Sequence, residues 1–81
     1  MLTELSAASK VVGVKQVKRA VESGRAMKVF LAQDAEGRIT APIAALCAER
    51  GIPVETGGSM TDLGRACGIS VGAAVAATVT A

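Results

Sequence analysis

The segment Lys28-Val29-Phe30-Leu31-Ala32 is a compact apolar run in which hydrophobic and polar residues do not alternate. A strand with one face in water alternates with a period of two, whereas a strand covered on both faces is apolar along its length. We therefore expect a strand here whose two faces are both buried. Such a strand needs packed elements on each side of its sheet, so the segment indicates a layered fold.

Helical and extended patterns alternate along the rest of the chain. Helices are predicted after Thr3, over 15–23, after Thr40 and after Ser59, and short strands over 11–13, 52–55 and 71–79. A glycine follows three of these helices, at the position where a left-handed residue commonly ends a helix. The chain is therefore predicted to be a single α/β domain over 1–81, a three-layer α-β-α sandwich with a small mixed sheet of about four strands and helices on both faces.

Two of the predicted helix starts carry capping residues. Thr40 is expected to cap the third helix and to leave Pro42 in its first turn, where a missing N–H is tolerated. Ser59 and Asp62 form a capping-box-like pair at the start of the fourth helix. These residues predict where the two helices begin.

The composition argues against catalysis and against metal binding. The chain has no His, Trp or Tyr, and Phe30 is its only aromatic residue. The commonest general base and zinc ligand is therefore absent, and the acidic residues have no spacing typical of metal ligands. We expect no catalytic residue, no metal site, no cofactor and no enzymatic activity. Much of the apolar content is Ala and Val, which leaves little room for a deep small-molecule pocket.

The cysteines and the hydropathy of the chain bear on its location. Cys47 and Cys67 lie far apart, and we interpret them as small buried hydrophobic residues in a reducing compartment, with a disulfide as the alternative. Residues 1–5 have no signal-peptide pattern, and the apolar stretch 69–81 is too short to span a bilayer. We therefore expect a cytoplasmic protein without a membrane partner.

Basic residues are concentrated between positions 10 and 28, although the net charge of the chain is only +2. This segment contains six basic residues and one acidic residue, Glu22. We interpret it as a polyanion-binding patch. Because aromatic stacking platforms are missing, a nucleic acid would have to be bound through charge, side-chain amides and backbone.

Within this segment, the second predicted helix has one basic face. Helical spacing separates its charged side chains from its apolar ones, with Lys15, Lys18, Arg19 and Glu22 on one face. Val17, Ala20 and Val21 lie on the other face. Gly13 precedes the helix, where outward-pointing amides and the positive end of the helix dipole favour a phosphate. Gln16 offers both a donor and an acceptor to base edges. The alternative is a solvated helix face that binds nothing.

The loop of Gly57, Gly58, Ser59 and Met60 is a second candidate site. The two glycines give the backbone freedom for a close approach, and the Ser59 cap leaves helix amides for an acceptor. The loop is not a P-loop, because no Gly-Lys-Ser/Thr follows it. The alternative is an ordinary connection between a strand and a helix.

Three segments match motifs of a known family. Residues 13–24 resemble the signature G-x-N-E-x-x-K-A-x-x-x-G, residues 29–34 resemble V-V-I-A-x-D, and residues 59–68 resemble S-x-x-x-L-G-x-A-x-G. These are motifs of the L-seven-Ae and L-thirty-e ribosomal protein family. The resemblance covers nearly the whole chain in the right order and is strongest to the short bacterial members.

This resemblance implies an α-β-α sandwich that binds kink-turns, which are RNA helices bent sharply at a bulge beside tandem sheared G·A pairs. It implies that the start of the second helix reads the G·A guanines through Gly13, Lys15, Gln16 and Arg19, on the face that also carries Lys18. It implies that the loop of Gly57, Gly58, Ser59 and Met60 covers the bulged nucleotide. The expected partners are structured ribosomal or regulatory RNA and other ribosomal components, and DNA is not expected.

The chain departs from archaeal-type members of this family at two places. It has Lys15-Gln16 where they carry Asn-Glu, a pair that the bacterial branch tends to show, and Gly57-Gly58 where they carry an apolar residue and Pro. The glycine pair removes an apolar cover for the bulged base, so weaker or more induced binding is expected. The main alternative function is a protein-interaction module of the same fold with weak or lost RNA binding. A domain serving an RNA-modifying enzyme, and a redox role for the cysteines, are further alternatives.

Overall fold

The computed structural model describes Leu5 and residues 9–80. Within these residues the chain forms β1 (Lys10–Val12), α1 (Val14–Glu22), β2 (Ala26–Leu31), α2 (Gly37–Arg50), β3 (Val54–Thr56), α3 (Met60–Ala66) and β4 (Val75–Val79). The helix predicted after Thr3 lies outside the described residues except for Leu5, which is helical and fully buried. No helix in this described part of the chain is long and apolar enough to cross a membrane.

The four strands of the described residues form one mixed sheet in the order β1-β4-β2-β3. β4 pairs antiparallel with β1 and with β2, whereas β2 pairs parallel with β3. Leu31, at the end of β2, lies opposite Val75 at the start of β4 and opposite Thr56 at the end of β3. The predicted mixed sheet is therefore confirmed. The pairing also places the ends of β2 and β3 and the start of β4 together, at the edge of the sheet that the strand ends form.

β2 is buried on both faces, as its apolar run predicts. Val29 and Leu31 point into one hydrophobic cluster, and Phe30 points into another on the opposite face. The first cluster contains residues of α1, α2, β2 and β4, and the second contains residues of α3, β2 and β4 together with Leu5. The predicted three-layer α-β-α sandwich is therefore confirmed. We refer to the two sides of the sheet as the α1–α2 face and the α3 face.

The cysteines lie on opposite faces of the sheet, and both are free. Cys47 belongs to the cluster on the α1–α2 face and Cys67 to the cluster on the α3 face. Burial raises the pKa of both thiols. A thiol that stays protonated is a poor nucleophile, so the interpretation of both as small buried residues is confirmed and a redox role is disfavoured.

The start of α2 differs from the prediction that Thr40 caps it. The helix begins at Gly37, because the amides of Ile39 and Thr40 already donate to the carbonyl oxygen of Glu36, at 2.9 and 3.2 Å. Pro42 consequently lies inside the helix rather than in its first turn. Since Pro has no N–H, it removes one intrahelical hydrogen bond there.

The strand boundaries also differ from the predicted ones: β1 spans Lys10–Val12 rather than 11–13, and β3 spans Val54–Thr56 rather than 52–55. β2 begins at Ala26 rather than at Lys28, with an irregular register between these two residues that leaves Met27 as an extra, largely exposed residue. β4 begins at Val75 rather than at Val71. Val71 is 69% exposed, because the segment that leads to β4 first runs along α3.

Gly64 allows this close approach. A Cβ atom added at Gly64 would collide with the carbonyl oxygen of Val71, so the backbone of that segment occupies the place of a side chain. One turn earlier, the carbonyl oxygen of Met60 accepts a hydrogen bond from the amide of Ala73 at 3.0 Å. The glycine in the middle of α3 is therefore a packing requirement.

We expect Gly64→Ala to destabilise the protein by about 1–3 kcal/mol, because the backbone around Val71 has to move to admit the methyl group. Gly37→Ala is the matched control: its added Cβ would meet nothing within 4 Å. In a helix, alanine at such a position is neutral or stabilising by up to about 1 kcal/mol. Urea unfolding followed by circular dichroism measures both variants, and equal midpoints for the two would contradict the assignment.

Candidate nucleic-acid interface

Gly13 sets the start of α1. Its φ of 98° is a conformation that L side chains rarely adopt, which explains the glycine. Its amide donates to the carbonyl oxygen of Val75 at 2.9 Å, and its carbonyl oxygen accepts from the amide of Val17 at 3.0 Å. Because this is the first helical hydrogen bond, the amides of residues 14–16 have no acceptor within the helix. They point outward at the positive end of the helix dipole.

The side chains of α1 separate into two faces as predicted. Val17, Ala20 and Val21 are at most 1% exposed and pack on the sheet. The exposed face carries the four candidate side chains Lys15, Gln16, Lys18 and Arg19. The first turn contains no acidic residue to offset the helix dipole. Lys15 therefore lies beside the outward-pointing amides at the start of the helix, and Lys18 and Arg19 continue the basic face toward its last turn.

Two other basic residues of the segment 10–28, Arg25 and Lys28, do not join this group. Lys28 lies on the α3 face, where it forms a 2.8 Å ion pair with Glu55 and sits 5.2 Å from the centre of the Phe30 ring. The hydrogen bond from Lys28 lowers the pKa of Glu55. Arg25 precedes β2 and therefore lies at the opposite edge of the sheet from Gly13. Lys28 and Arg25 therefore lie outside the basic face of α1, so the predicted patch does not include every basic residue of this segment.

The second candidate segment, the Gly57–Met60 loop, joins β3 to α3. Gly58 has a φ of 74°, which again favours glycine. The amide of Gly57 donates to the carbonyl oxygen of Leu31 at 3.3 Å, and the carbonyl oxygen of Gly58 accepts from the amide of Gln33 at 2.9 Å. The loop is therefore fastened to the end of β2 despite its two glycines.

Ser59 begins α3 with the predicted capping box. Its hydroxyl accepts from the amide of Asp62 at 3.1 Å, and its own amide donates to the carboxylate of Asp62 at 3.1 Å. The hydrogen bond from the Ser59 amide lowers the pKa of Asp62. The box therefore stabilises the helix start, as expected.

Asp34 is a residue of this region that the sequence analysis missed. Its Oδ1 accepts a hydrogen bond from the amide of Met60 at 2.8 Å. The expectation that the Ser59 cap leaves helix amides for an external acceptor is therefore wrong for Met60. Asp34 matches the last position of the V-V-I-A-x-D motif, but no local pattern links it to a residue 26 positions away.

Sheet topology brings the two candidate segments to the same edge. Gly13 is bonded to Val75, and Val75 lies opposite Leu31, to which Gly57 is bonded. The segments follow β1 and β3, the two outer strands, so roughly 14 Å of sheet lies between them at the usual strand spacing. α1 packs on one face and α3 on the other, so the two segments approach this edge from opposite sides.

A surface groove of about 590 Å³ lies beside the basic face of α1. It runs between α1 and α2 and is mostly apolar, with charged side chains among its lining residues. They are Val14, Lys18, Arg38, Ile39, Pro42, Ile43, Ala45, Leu46 and Glu49. Ile43, one of the lining residues, also belongs to the hydrophobic cluster on the α1–α2 face. Lys18 is shared by the groove and by the basic face.

Comparison with known proteins gives one consistent result. Residues 3–81 match the model of the "Ribosomal protein L7Ae/L30e/S12e/Gadd45 family". An RNA-binding protein of Caldanaerobacter subterraneus subsp. tengcongensis is 44% identical over 70 residues, which are 86% of this chain and 85% of that protein. RNA-binding protein YbxF of Geobacillus stearothermophilus is 42% identical over 73 residues, 90% of this chain and 89% of that protein.

Solved structures agree with these sequence relatives. The 15.5kD RNA binding protein of Giardia lamblia superposes with a TM-score of 0.86 at 29% identity, covering 99% of this chain and 68% of that one. A Bacillus halodurans protein described as of unknown function superposes with a TM-score of 0.89 at 30% identity, covering 99% of this chain and 84% of that one. The match over 3–81 and the relatives above 40% identity show that the chain belongs to the ribosomal protein L7Ae/L30e/S12e/Gadd45 family.

Proposed function

We propose that this chain is a non-enzymatic RNA-binding protein that recognises kink-turn RNA, as a ribosomal or ribosome-associated component. The observation that carries the proposal is the convergence of two segments at one edge of the sheet. One is the start of α1 with its cations and outward amides, and the other is the Gly57–Met60 loop. Relatives of similar length that carry the name RNA-binding protein support the RNA-binding part of this proposal.

The start of α1 binds the RNA backbone and reads base edges. Phosphates lie near the outward amides of residues 14–16, where the helix dipole and the cation of Lys15 act in the same direction. Lys18 and Arg19 extend this basic face along the helix. Gln16, in the first turn, is exposed and offers one acceptor and two donor hydrogens to the guanines of the sheared G·A pairs. Gly13 keeps side-chain atoms away from the point of closest approach.

The Gly57–Met60 loop covers the bulged nucleotide. A Cβ atom added at Gly57 would meet nothing within 4 Å, so open space lies in front of the loop backbone. Met60 is half-buried and supplies the loop's only large apolar side chain. Because Phe30 is fully buried in the core, no aromatic ring is available for stacking, and contact with the bulge depends on Met60 and on the backbone.

Selectivity for a bent RNA follows from the distance between the two segments. A straight duplex meets the start of α1 with its phosphates but offers no unpaired nucleotide to the loop. A kink-turn offers both phosphates and an unpaired nucleotide. It therefore contacts the protein at two places, whereas a duplex of equal charge contacts it at one. Shape, rather than the charge of the RNA, is therefore the property that distinguishes the two.

A protein-interaction role for the same fold is the second candidate, and the apolar groove between α1 and α2 favours it. Apolar grooves between helices accommodate the side chains of partner proteins. This role predicts partner capture without affinity for RNA at moderate salt. Measurement of RNA affinity therefore separates the two candidates.

We expect a fluorescently labelled kink-turn RNA to bind more tightly than a straight duplex of the same length and charge. The physical reason is the additional contact of the bulged nucleotide with the Gly57–Met60 loop. Fluorescence anisotropy titrations at one fixed salt concentration give both dissociation constants. Equal constants would reject kink-turn recognition, and no binding of either RNA would favour the protein-interaction role.

Binding should weaken with salt as expected for a small number of phosphate contacts. If about three to five phosphates are neutralised, log K falls against log salt concentration with a slope of roughly −3 to −4.5. The same titrations at several potassium chloride concentrations provide this slope. A slope near zero would exclude backbone recognition by the basic face of α1.

Lys15→Ala and Arg19→Ala should each weaken binding by about 1 kcal/mol or more, because each removes a phosphate or base contact. Alanine is a good helix former, so the fold should be retained. Arg25→Ala is the matched control, since it removes the same charge at the opposite edge of the sheet, roughly 20 Å away along β2. At about 0.1 M salt that separation exceeds the screening length of about 10 Å, so little effect is expected.

Arg50 is less suitable as a control for these variants. Its Nη1 donates to the carbonyl oxygen of Glu22 at 3.2 Å, which joins the end of α2 to the end of α1. A loss of affinity in Arg50→Ala could therefore come either from the lost charge or from a shift of α1, and the measurement would not separate the two effects.

If Arg25→Ala weakened binding as much as Arg19→Ala, the affinity would depend on the total charge of the protein and not on this helix face.

A further inference from the structure

We propose that Asp34 is a positioning residue for RNA binding, because its carboxylate holds the start of α3 and thereby fixes the Gly57–Met60 loop in its binding conformation. The inference rests on the proposed function, since that loop is the segment assigned to the bulged nucleotide. It adds a residue on a different segment of the chain, the turn that follows β2. This turn makes no RNA contact in the proposal.

The contact between Asp34 and Met60 is short and charge-assisted. Oδ1 of Asp34 lies 2.8 Å from the amide nitrogen of Met60, within the range for a carboxylate that accepts from a backbone N–H. Met60 is the first residue of α3, so its amide has no acceptor within the helix. Asp34 therefore supplies an acceptor that the helix itself lacks.

Two backbone hydrogen bonds act together with this contact. Gly57 donates to Leu31, and Gly58 accepts from Gln33, so both glycines are bonded to the residues around the end of β2. With Asp34 and Met60, three hydrogen bonds join the segments 31–34 and 57–60. The side chain of Asp34 contributes the only one of these three that a point substitution can remove without altering the backbone.

The glycines explain why this fastening affects RNA affinity. A chain with two adjacent glycines loses more conformational entropy on ordering than any other pair of residues. If the loop were disordered before binding, this loss of entropy would reduce the free energy gained when the RNA binds. Since the loop is already bonded to β2, the loss has occurred during folding, and the RNA meets an ordered surface.

Electrostatics predicts an effect of opposite sign for the same residue. Asp34 is exposed and lies at the edge of the sheet assigned to the RNA, so its negative charge repels phosphates. Removal of the charge alone should therefore tighten binding. Removal of the hydrogen bond should weaken it, so the sign of the change separates a positioning role from a simple surface charge.

The test compares Asp34→Ala with Asp34→Asn, using a fluorescein-labelled kink-turn RNA and anisotropy at fixed salt. Alanine removes both the acceptor and the charge, and we expect about threefold to tenfold weaker binding, the effect of one hydrogen bond of ordinary strength. Asparagine retains an oxygen that accepts from the Met60 amide and removes the charge. We expect it to bind as tightly as the parent protein or more tightly.

Glu36→Gln is the control for charge near the same turn. Glu36 is exposed, and its carboxylate pairs with Arg38 at 2.8 Å, with both side chains mostly in water. Its substitution removes one negative charge two residues from Asp34 without removing an acceptor of the loop. We expect Glu36→Gln to bind the RNA with unchanged or slightly higher affinity. If Asp34→Ala changed the affinity in the same way as Glu36→Gln, the positioning role would be overturned.

Amide hydrogen exchange measured by NMR provides a readout independent of RNA. Asp34→Ala should accelerate exchange at Met60 and in the Gly57–Met60 loop, while amides of β2 and β4 keep their protection. Uniformly faster exchange over the whole sheet would instead indicate a merely destabilised fold and would overturn the inference. If the parent protein bound the kink-turn and the duplex equally well, the proposed function itself would be rejected. If the parent protein preferred the kink-turn and Asp34→Ala bound it with the same affinity as the parent, only the positioning role would be rejected.

Discussion

The antiparallel pairing of β2 with β4 at the centre of the sheet is the constraint on which the rest of the structure depends. Both strands are largely buried on their two faces, so helices have to cover the sheet on each side. The pairing also sets Leu31 opposite Val75, and the carbonyl oxygens of these two residues hold the two candidate segments in place. Val75 accepts from Gly13 and Leu31 accepts from Gly57, so one register determines where both candidate segments lie.

The positive charge of the proposed RNA interface is local, although the chain is only weakly basic overall. Of the six basic residues between positions 10 and 28, three lie on the exposed face of α1. Lys28 is paired with Glu55 on the other face, and Arg25 lies at the far edge of the sheet. Because salt screens charges over about 10 Å, the three cations of α1 act together, and Arg25 lies too far away to act with them.

Local patterns in the sequence predicted the layers, the amphipathic α1 and the capping box of α3, because each depends on residues within a few positions of one another. The start of α2 was not predictable in this way, since its first carbonyl acceptor belongs to Glu36 and no side chain marks it. The late start of β4 depends on the packing of Val71 against Gly64. The bond between Asp34 and Met60 joins segments that only the completed sheet brings together.

The glycine pair in the second candidate segment has a different meaning once these long-range bonds are known. In the sequence, Gly57 and Gly58 suggest a loose loop that has lost the apolar cover of its archaeal-type relatives. In the folded chain, three hydrogen bonds to residues 31–34 hold the loop, and its small residues leave open space in front of an ordered backbone. Order in this loop therefore comes from the neighbouring turn rather than from the stiffness of its own residues. Under the proposed function, the strength of RNA binding depends on how well the end of β2 holds the loop, as much as on the residues that face the RNA.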